Sequence, residues 1–198
     1  MKVSGGRFKG RPIPFSSKKY GNAESTPQKV KEALFSMLGE DLTGASFLDL
    51  FACSGQVGIE ALSRGADMVV FNEIERARYL FIRDLVGEWD REQRAVVLHM
   101  PSSRCLKYLE KRGFSFDYIF LDPPYAKTAG DAPLYAALID EIDRYAVTKP
   151  GTRIIIQHFA SNDLPGRVGG FEQVTSRRYG SSALSIYARA DGPPQSDA

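Results

Sequence analysis

The feature that most constrains the fold of this sequence is a regular alternation of strand-like and helix-like segments between residues 46 and 158. Runs rich in β-branched and aromatic residues predict strands at 47–51, 68–72, 95–99, 116–121 and 152–158. Helical spacing of apolar residues predicts helices at 57–64, 75–86, 102–112 and 133–145. Because repeated strand–helix units are joined by right-handed crossovers, the pattern predicts an α/β fold whose parallel sheet is covered on both faces.

The alternation ends near residue 170, where two strand-like runs at 171–179 and 183–189 follow each other. Only Gly180, Ser181 and Ser182 join them, and so short a connection requires antiparallel pairing. We therefore expect a seven-stranded, mostly parallel sheet with an antiparallel hairpin at one edge. The main domain is predicted at 23–190, with a basic N-terminal arm at 1–22 and a disordered tail at 191–198.

The N-terminal region concentrates positive charge. Residues 1–31 hold eight basic side chains and one acidic one, a net charge of +7, so the rest of the chain carries −5 of the total of +2. A basic arm on a mildly acidic body favours a polyanionic partner, although a solvated, flexible terminus would show the same charge. Glycines, prolines and scattered apolar residues at 1–22 predict a β-hairpin or an extended arm. The candidate polyanion contacts are Arg7, Lys9, Arg11, Lys18, Lys19, Lys29 and Lys31.

A helix is predicted to begin after the arm, at Thr26 and Pro27. Thr26 is suited to cap the free N–H groups, and Pro27 is suited to the first helical position. Apolar residues at 30, 33, 34, 37 and 38 form one face, and Gly39 ends the helix. Lys29 and Lys31 lie off that face, so we expect both to be exposed.

Cysteine usage and hydropathy indicate the compartment. Cys53 and Cys105 belong to no CxxC pair, which argues against a zinc site and against a disulfide framework. The apolar runs are too short to cross a bilayer, and the N-terminus shows no signal-peptide h-region. We therefore expect a cytoplasmic protein that binds no metal and, because no long apolar stripe suggests a dimer, a monomer.

A glycine-containing loop follows the first predicted strand, at the sheet edge where open α/β folds bind ligands. Gly55 permits close approach of the backbone to a ligand, and Gly58 permits close packing of helix on strand. The loop is not a P-loop, because no GK[ST] follows, and Cys53 replaces the first glycine of a dinucleotide fingerprint. Its candidate ligand contacts are Phe51, Ala52, Cys53, Ser54, Gly55 and Gly58.

Two acidic residues narrow the choice of ligand. Asp49 lies just before the glycine loop, and Glu73 ends the second strand 24 residues later. An acid in the second position can accept both hydroxyls of a ribose, and Asp49 can accept the ammonium group of an amino acid. S-adenosylmethionine carries both groups and is the predicted cofactor. The alternative is that both acids are strand-end caps or ion-pair partners.

The most specific motif, Asp122-Pro123-Pro124-Tyr125, follows the fourth strand. The amine of a nucleobase is a poor nucleophile, because its lone pair is delocalised into the ring. Asp122 and the carbonyl of Pro123 can accept its two hydrogens and aim the lone pair at a methyl donor. The two prolines fix the backbone, and Tyr125 offers a face for base stacking. The motif predicts methyl transfer to a base amine, whereas a proline-rich turn capped by Asp122 is the simpler alternative.

With these motifs, the sequence resembles the bacterial 16S rRNA guanine-N2 methyltransferases of the RsmD type. The resemblance covers about residues 1–190 and rests on segments 2–11, 26–35 and 47–65, Glu73, the 122–125 motif and residues 187–189. It implies a Rossmann-like class I methyltransferase fold and an N-terminal hairpin and basic helix that contact rRNA. The implied substrate is a guanine of 16S rRNA in the small ribosomal subunit or its assembly intermediate. The resemblance also places Ile74, Met100 and Pro101 at the cofactor.

Three departures from the family pattern lie outside the 122–125 motif. Cys53 stands where the family usually has glycine, so the loop is expected to differ in shape or to turn the thiol toward the cofactor. Residues 23–25 lack an arginine that is common in the family at this place. Its absence is expected to weaken contacts with RNA or with the cofactor there. Met100 and Pro101 stand near the place of a usual polar residue, so adenine recognition is expected to depend on backbone groups and packing against Met100.

Two other functions remain open at this point. An adenine-N6 methyltransferase acting on DNA or RNA would use the same loop chemistry, although no separate target-recognition domain is apparent in 198 residues. A non-catalytic rRNA-binding assembly factor that retains the fold is favoured by Cys53 and the altered third loop. His99 and His158 are expected to be structural, because the amine proton can leave to solvent after transfer.

Overall fold

The computed structural model describes residues 1–20, 26–124 and 130–189, and this part of the chain contains five α-helices and eight strands. The helices are α1 (Gln28–Leu38), α2 (Gln56–Ser63), α3 (Arg76–Trp89), α4 (Ser102–Lys111) and α5 (Ala132–Arg144). The strands are β1 (Ser46–Asp49), β2 (Met68–Asn72), β3 (Ala95–Leu98), β4 (Phe116–Leu121), β5 (Thr148–Phe159), β6 (Arg167–Val168), β7 (Phe171–Tyr179) and β8 (Ser182–Arg189). The predicted tail at 191–198 lies outside the described residues.

All eight strands form one sheet in the order β3-β2-β1-β4-β5-β8-β7-β6. Strands β1 to β5 pair in parallel, and β6, β7 and β8 add antiparallel neighbours at one edge. The predicted α/β class and edge hairpin are confirmed. The predicted count of seven strands is wrong, because β6 spans only two residues, too few to produce a periodic pattern.

The hydrophobic core lies in two layers, one on each face of the sheet. Alternate strand residues such as Phe47 and Phe120 pack with α1, α2 and α3, and the intervening residues Leu48 and Ile119 pack with α4 and α5. Both faces are apolar because strands covered on both sides expose neither set of side chains to water. Polar residues stand at the carboxyl ends of two of the parallel strands, Asp49 on β1 and Asn72 on β2, where a ligand site can form.

The N-terminal segment turns back on itself and packs against the body of the protein. Lys2 and Pro12 form an isolated antiparallel bridge, and the turn between them contains a 3-10 helix at Gly6–Phe8. Val3 and Phe8 are buried in the layer formed by α1, α2 and α3. The segment therefore has the course of the predicted hairpin, but a single bridge replaces regular strands, and its apolar residues hold it against the core.

The start of α1 differs from the prediction. Pro27 occupies the N-cap position, without a side-chain cap, and the helix begins at Gln28. Thr26 lies one residue too early to cap the helix, so the predicted cap is wrong. Its hydroxyl instead donates a hydrogen bond to Asp122 Oδ2 at 3.4 Å. Gly39 ends the helix with a φ of 111°, as predicted.

The prediction that Lys31 is exposed and contacts a polyanion is also wrong. The Lys31 side chain is fully buried, where its Nζ lies 2.9 Å from Glu60 Oε2 and donates to the carbonyl of Lys2 at 2.7 Å. Lys31 lies at the border of the apolar face of α1, and the folded N-terminal segment covers it.

Within the described ranges, no helix has the length and apolar character needed to cross a membrane.

Candidate functional site

The carboxyl ends of β1 and β4 lie side by side and define a small pocket. Asp49 is the last residue of β1, and Asp122 follows β4 directly. The two strands are neighbours in parallel register, with Asp49 paired to Phe120, so both carboxylates reach the same edge of the sheet. The pocket is lined by Thr26, Asp49, Phe51, Ala52, Cys53, Ser54, Gln56, Val57, Phe120 and Asp122.

The glycine loop connects β1 to α2 through two residues with left-handed backbone. Gly55, the N-cap of α2, has a φ of 72°, and Cys53 has a φ of 50°. Cys53 thus adopts the conformation that glycine would adopt without strain. A Cβ at Gly58 would lie 2.3 Å from the Phe71 ring, so glycine is required for α2 to pack closely on β2. The loop therefore has the predicted geometry, with cysteine at a position that favours glycine.

Asp49 is the most unusual carboxylate of the pocket. It is 1% exposed, and its Oδ2 accepts a hydrogen bond from the backbone N–H of Gly58 at 3.0 Å. Its Oδ1 is buried and has no hydrogen-bond partner among the described residues. Burial raises the pKa of Asp49 to about 7, and the negative charges of Asp122 and Glu73 add to the effect. The atom is suited to receive a cationic donor, which would relieve both penalties.

Glu73 holds the neighbouring loop from the end of β2. Its Oε2 accepts from the backbone N–H of Cys53 at 2.8 Å, and its Oε1 accepts from that of Glu75 at 2.7 Å. Burial raises the pKa of Glu73, although these hydrogen bonds and Arg78 oppose the effect. Each carboxylate oxygen can accept a second hydrogen bond, so diol binding at Glu73 is compatible with these contacts.

Three further predicted cofactor residues surround this end of the sheet. Ile74 is 60% exposed, and its carbonyl lies 2.9 Å from His99 Nε2. Met100 packs at the border of the layer formed by α4 and α5, and Pro101 is the exposed N-cap of α4. These residues follow β2 and β3 at the same edge as Asp49, which is where the sequence predicted them. Their contact with a cofactor remains a prediction.

The 122–124 segment is held from two sides. Asp122 Oδ2 accepts from Thr26 Oγ1 at 3.4 Å and from Gln157 Nε2 at 3.0 Å. Thr26 is itself fixed, because its carbonyl accepts from Gln56 Nε2 at 2.6 Å. Pro123 is buried and Pro124 is exposed. Tyr125, the predicted stacking residue, lies outside the described residues.

Sequence analysis missed the contributions of Thr26, Gln56 and Gln157 to this site. The sequence predicts only a helix cap at Thr26. It gives no signal for a role of Gln56, which it places in the glycine loop. Gln157 gave a usable signal, because it is a polar residue directly after the apolar run 154–156 at the carboxyl end of β5. Strand β5 is the parallel neighbour of β4, which places Gln157 beside Asp122.

Cys53 is one of the residues that line the pocket, and contact of its thiol with a cofactor remains a prediction. Burial raises its pKa to about 12, so it is protonated at neutral pH and is not a nucleophile. His158 is buried, with Nδ1 2.8 Å from the carbonyl of Phe159 and Nε2 2.9 Å from Ser185 Oγ. Burial also lowers its pKa. These contacts fit the structural role predicted for His158.

Apart from the buried Lys31, the predicted polyanion contacts fall into two groups. Arg7 pairs with Asp90 at 3.2 Å and with Glu92 at 2.7 Å, and Arg11 lies 4.0 Å over the Trp89 ring. These two arginines fasten the N-terminal segment to the end of α3. The second group is exposed and makes no ion pair within the described part of the chain: Lys9, Lys18, Lys19 and Lys29.

Comparison with known proteins places this geometry in context. A family model described as Conserved hypothetical protein 95 matches residues 1–188. YlbH of Bacillus subtilis, provisionally named an rRNA methyltransferase, is 32% identical over 189 residues, which are 96% of this chain and 99% of that protein. Ribosomal RNA small subunit methyltransferase D of Escherichia coli is 30% identical over 128 residues, 64% of this chain and 61% of that protein.

A solved structure shows the same fold. The Escherichia coli protein yhhF, provisionally named a methyltransferase, superposes with a TM-score of 0.78 at 24% identity. The superposition covers 97% of this chain and 99% of that one. The order of strands and helices described above is therefore shared along almost the whole chain.

Proposed function

The chain belongs to the family described as Conserved hypothetical protein 95, and we propose that it transfers a methyl group from S-adenosylmethionine to the N2 amine of a guanine in 16S rRNA. The names of YlbH and of the Escherichia coli small subunit enzyme support rRNA as the substrate class. The observation that carries the proposal is the buried Oδ1 of Asp49, which has no hydrogen-bond partner among the described residues and lies in the same pocket as Asp122. Asp49 is suited to hold the methyl donor, and Asp122 is suited to hold the nucleobase that accepts the methyl group.

The pocket residues fit S-adenosylmethionine. Asp49 Oδ1 would accept the ammonium group of the methionine moiety, and Glu73 would accept the ribose hydroxyls. Gly55 is required in this turn, because its φ is left-handed and a Cβ there would lie 3.1 Å from the Ile82 side chain. When bound, this cofactor supplies a methyl group on a positively charged sulfur, which is an activated leaving group.

Asp122 would orient the accepting base. Its Oδ2 is fixed by Thr26 and Gln157, so the carboxylate plane is set before a substrate arrives. A carboxylate held in this way accepts an amine hydrogen while the carbonyl of Pro123 accepts the second one. The amine lone pair is then directed at the methyl donor, and orientation supplies most of the rate gain. The amine loses its proton to solvent after transfer, so no histidine base is needed.

The exposed lysines would guide the RNA to this edge. Lys18 and Lys19 precede Tyr20, whose carbonyl accepts from Arg78 Nε at 3.0 Å. Arg78 in turn lies close enough to Cys53 and Glu73 to influence their pKa values, so this part of the N-terminal segment adjoins the pocket. Lys29 lies in the first turn of α1, next to Thr26. We propose that these lysines bind phosphates around a flipped guanine.

Mass spectrometry of rRNA nucleosides tests this function. Small ribosomal particles from cells lacking the gene are incubated with the protein and labelled S-adenosylmethionine, and the rRNA is then digested. We expect label in N2-methylguanosine at one position. Label in N6-methyladenosine would establish the adenine alternative, and tight particle binding without any label would establish the assembly-factor alternative.

The variant Asp122→Ala tests the role of the carboxylate. We expect kcat to fall at least about a thousandfold, because the amine loses its orienting acceptor, while cofactor affinity stays within about twofold. Asp140→Ala, which removes an exposed carboxylate of α5, is the matched control and should retain full activity. An Asp122→Ala protein that keeps more than a tenth of the activity would contradict the proposed geometry.

A further inference from the structure

Gln157 presents a hydrogen-bond acceptor that nothing in the described protein satisfies. Its Nε2 donates to Asp122 Oδ2 at 3.0 Å, and its Oε1 is buried without a partner. A carboxylate can only accept hydrogen bonds, so Asp122 fixes which end of the Gln157 carboxamide faces it. Turning the group over would set two acceptor oxygens against each other. The position of Oε1 is therefore determined by the residue that orients the substrate amine.

A buried acceptor without a donor destabilises a protein, so its presence beside a reactive carboxylate points to a donor supplied by the substrate. The two candidate bases differ at this point. In guanine the exocyclic N2 amine is flanked by N1–H, a donor. In adenine the exocyclic N6 amine is flanked by an unprotonated N1, an acceptor. Only guanine presents an amine and an adjacent donor to a carboxylate and an adjacent amide oxygen.

We propose that Gln157 is a specificity-determining residue that selects guanine by accepting its N1–H through Oε1 while Asp122 accepts its N2 amine. This inference rests on the proposed function and goes beyond it, because it names the atom that rejects adenine. An adenine in the same pose would place the lone pair of its N1 against Gln157 Oε1. Neither of these two acceptors would then have a hydrogen-bond donor. Contact with guanine requires a small rotation of the carboxamide, because Oε1 is covered by protein atoms.

The base analogue 2-aminopurine separates the two contacts. It carries an amine at C2 like guanine, but it lacks both the N1 hydrogen and O6, so the change of the guanine preference on mutation of Gln157 isolates the N1–H contact. Particles are reconstituted with rRNA that carries guanine or 2-aminopurine at the position methylated in the nucleoside experiment, and kcat/KM is measured for each. For the wild-type protein we expect guanine to be preferred by about tenfold to a hundredfold, the usual effect of an unmatched buried acceptor. Equal values for the two bases would overturn the inference.

The variant Gln157→Met removes the acceptor at nearly constant volume. If Gln157 only positions Asp122, both bases lose activity equally and their ratio is unchanged, which overturns the inference. If Oε1 accepts N1–H, guanine loses more than 2-aminopurine and the ratio falls at least about fivefold. Gln173→Leu, on β7, also removes a partly buried amide that donates a hydrogen bond, here to Ser185 at 3.1 Å, and should leave the ratio unchanged.

The design keeps the inference separate from the proposed function. Absence of guanine methylation by the wild-type protein would reject the function itself. Guanine methylation with a ratio that does not respond to Gln157→Met would reject only the role of Gln157. If Gln157→Met does not fold, as judged by thermal unfolding, Gln157→Leu, which also removes the acceptor, is compared on the same two bases with the same two outcomes.

Discussion

Asp49 and Glu60 are two buried carboxylates within one layer of the molecule, and they differ in how they are satisfied. Glu60, on α2, accepts from Ser4 N at 2.8 Å, Ser4 Oγ at 2.7 Å, Gly5 N at 2.7 Å and Arg64 Nε at 3.1 Å, and it pairs with Lys31. Burial opposes its ionisation, but these contacts outweigh burial and lower its pKa. Asp49 has one backbone donor and a pKa raised to about 7.

The difference separates a carboxylate that holds the fold from one that awaits a ligand. Glu60 fastens the N-terminal segment to α2, and every contact it needs comes from the protein. Asp49 carries an energetic penalty that a bound cation would remove. Asp49 and Glu60 are both buried carboxylates. What distinguishes them is therefore the number of hydrogen-bond donors that the protein supplies to each.

The largest effect is expected from Glu60→Gln. This change leaves the Lys31 ammonium buried without its counterion and should lower the free energy of unfolding by about 3–5 kcal/mol. Urea unfolding measures the loss. Glu88→Gln is the control, because Glu88 is exposed and lies 3.9 Å from Arg11, and it should change stability by less than about 0.5 kcal/mol. Cofactor affinity of folded Glu60→Gln should equal that of the wild type. A loss of affinity without a loss of stability would reverse the roles assigned to the two carboxylates.

Asp49→Asn should reduce cofactor affinity, which Glu60→Gln leaves unchanged. Removal of the charge that faces the ligand ammonium should weaken cofactor binding by at least about a hundredfold. In the wild type, affinity should rise up to about pH 7 as Asp49 ionises, and should fall above about pH 8 as the ligand amine loses its proton. Calorimetric titration across pH measures both limbs. In Asp49→Asn the acidic limb should be absent, and its persistence would show that another group controls binding.

The same variant has a stability signature whose sign follows from the raised pKa. Between about pH 4 and 7 the unfolded state loses the Asp49 proton and the folded state keeps it, so Asp49 makes stability fall as pH rises. Asp49→Asn removes this contribution. Its stability relative to the wild type should therefore increase from pH 5 to pH 8, by roughly 2–3 kcal/mol. A stability difference that does not depend on pH would contradict the raised pKa.

Ser4→Ala should have the smallest effect. It removes one of the donors to Glu60 and leaves the backbone N–H of residue 4 in place, so we expect a loss of about 1–2 kcal/mol in unfolding free energy. Ser36→Ala, at an exposed position of α1, provides the baseline. Cofactor affinity should be unchanged in both variants. A loss as large as that of Glu60→Gln would mean that the hydroxyl, rather than the ion pair, holds the segment.

Much of this molecule was predictable from its sequence. The strand–helix alternation specified the α/β sheet, because strand and helix periods differ and each segment was long enough to show one of them. The short link at 180–182 specified the edge hairpin. The family resemblance was confirmed by the match over residues 1–188. Asp49 and Asp122 were predicted at the same edge of the sheet because both stand at the carboxyl ends of parallel strands.

The remaining features depend on tertiary contacts that have no local signature. Lys31 is a lysine near an apolar stripe, and only the docked N-terminal segment makes it buried. Thr26 has the composition of a helix cap, but a shift of one residue at Pro27 gives its hydroxyl to Asp122 instead. Gln157 contributes through the register of β5 beside β4. In each case the partner lies far away in the chain, so periodicity and capping rules could not identify it.

The left-handed loop residue Cys53 has a consequence for the durability of the protein. A methyl group on a sulfonium is an alkylating agent, and a thiolate is among the best nucleophiles that a protein offers to one. Burial raises the pKa of the Cys53 thiol to about 12, so the thiol stays protonated at pH 7. Because a protonated thiol is a weak nucleophile, burial of Cys53 opposes its alkylation by a sulfonium donor.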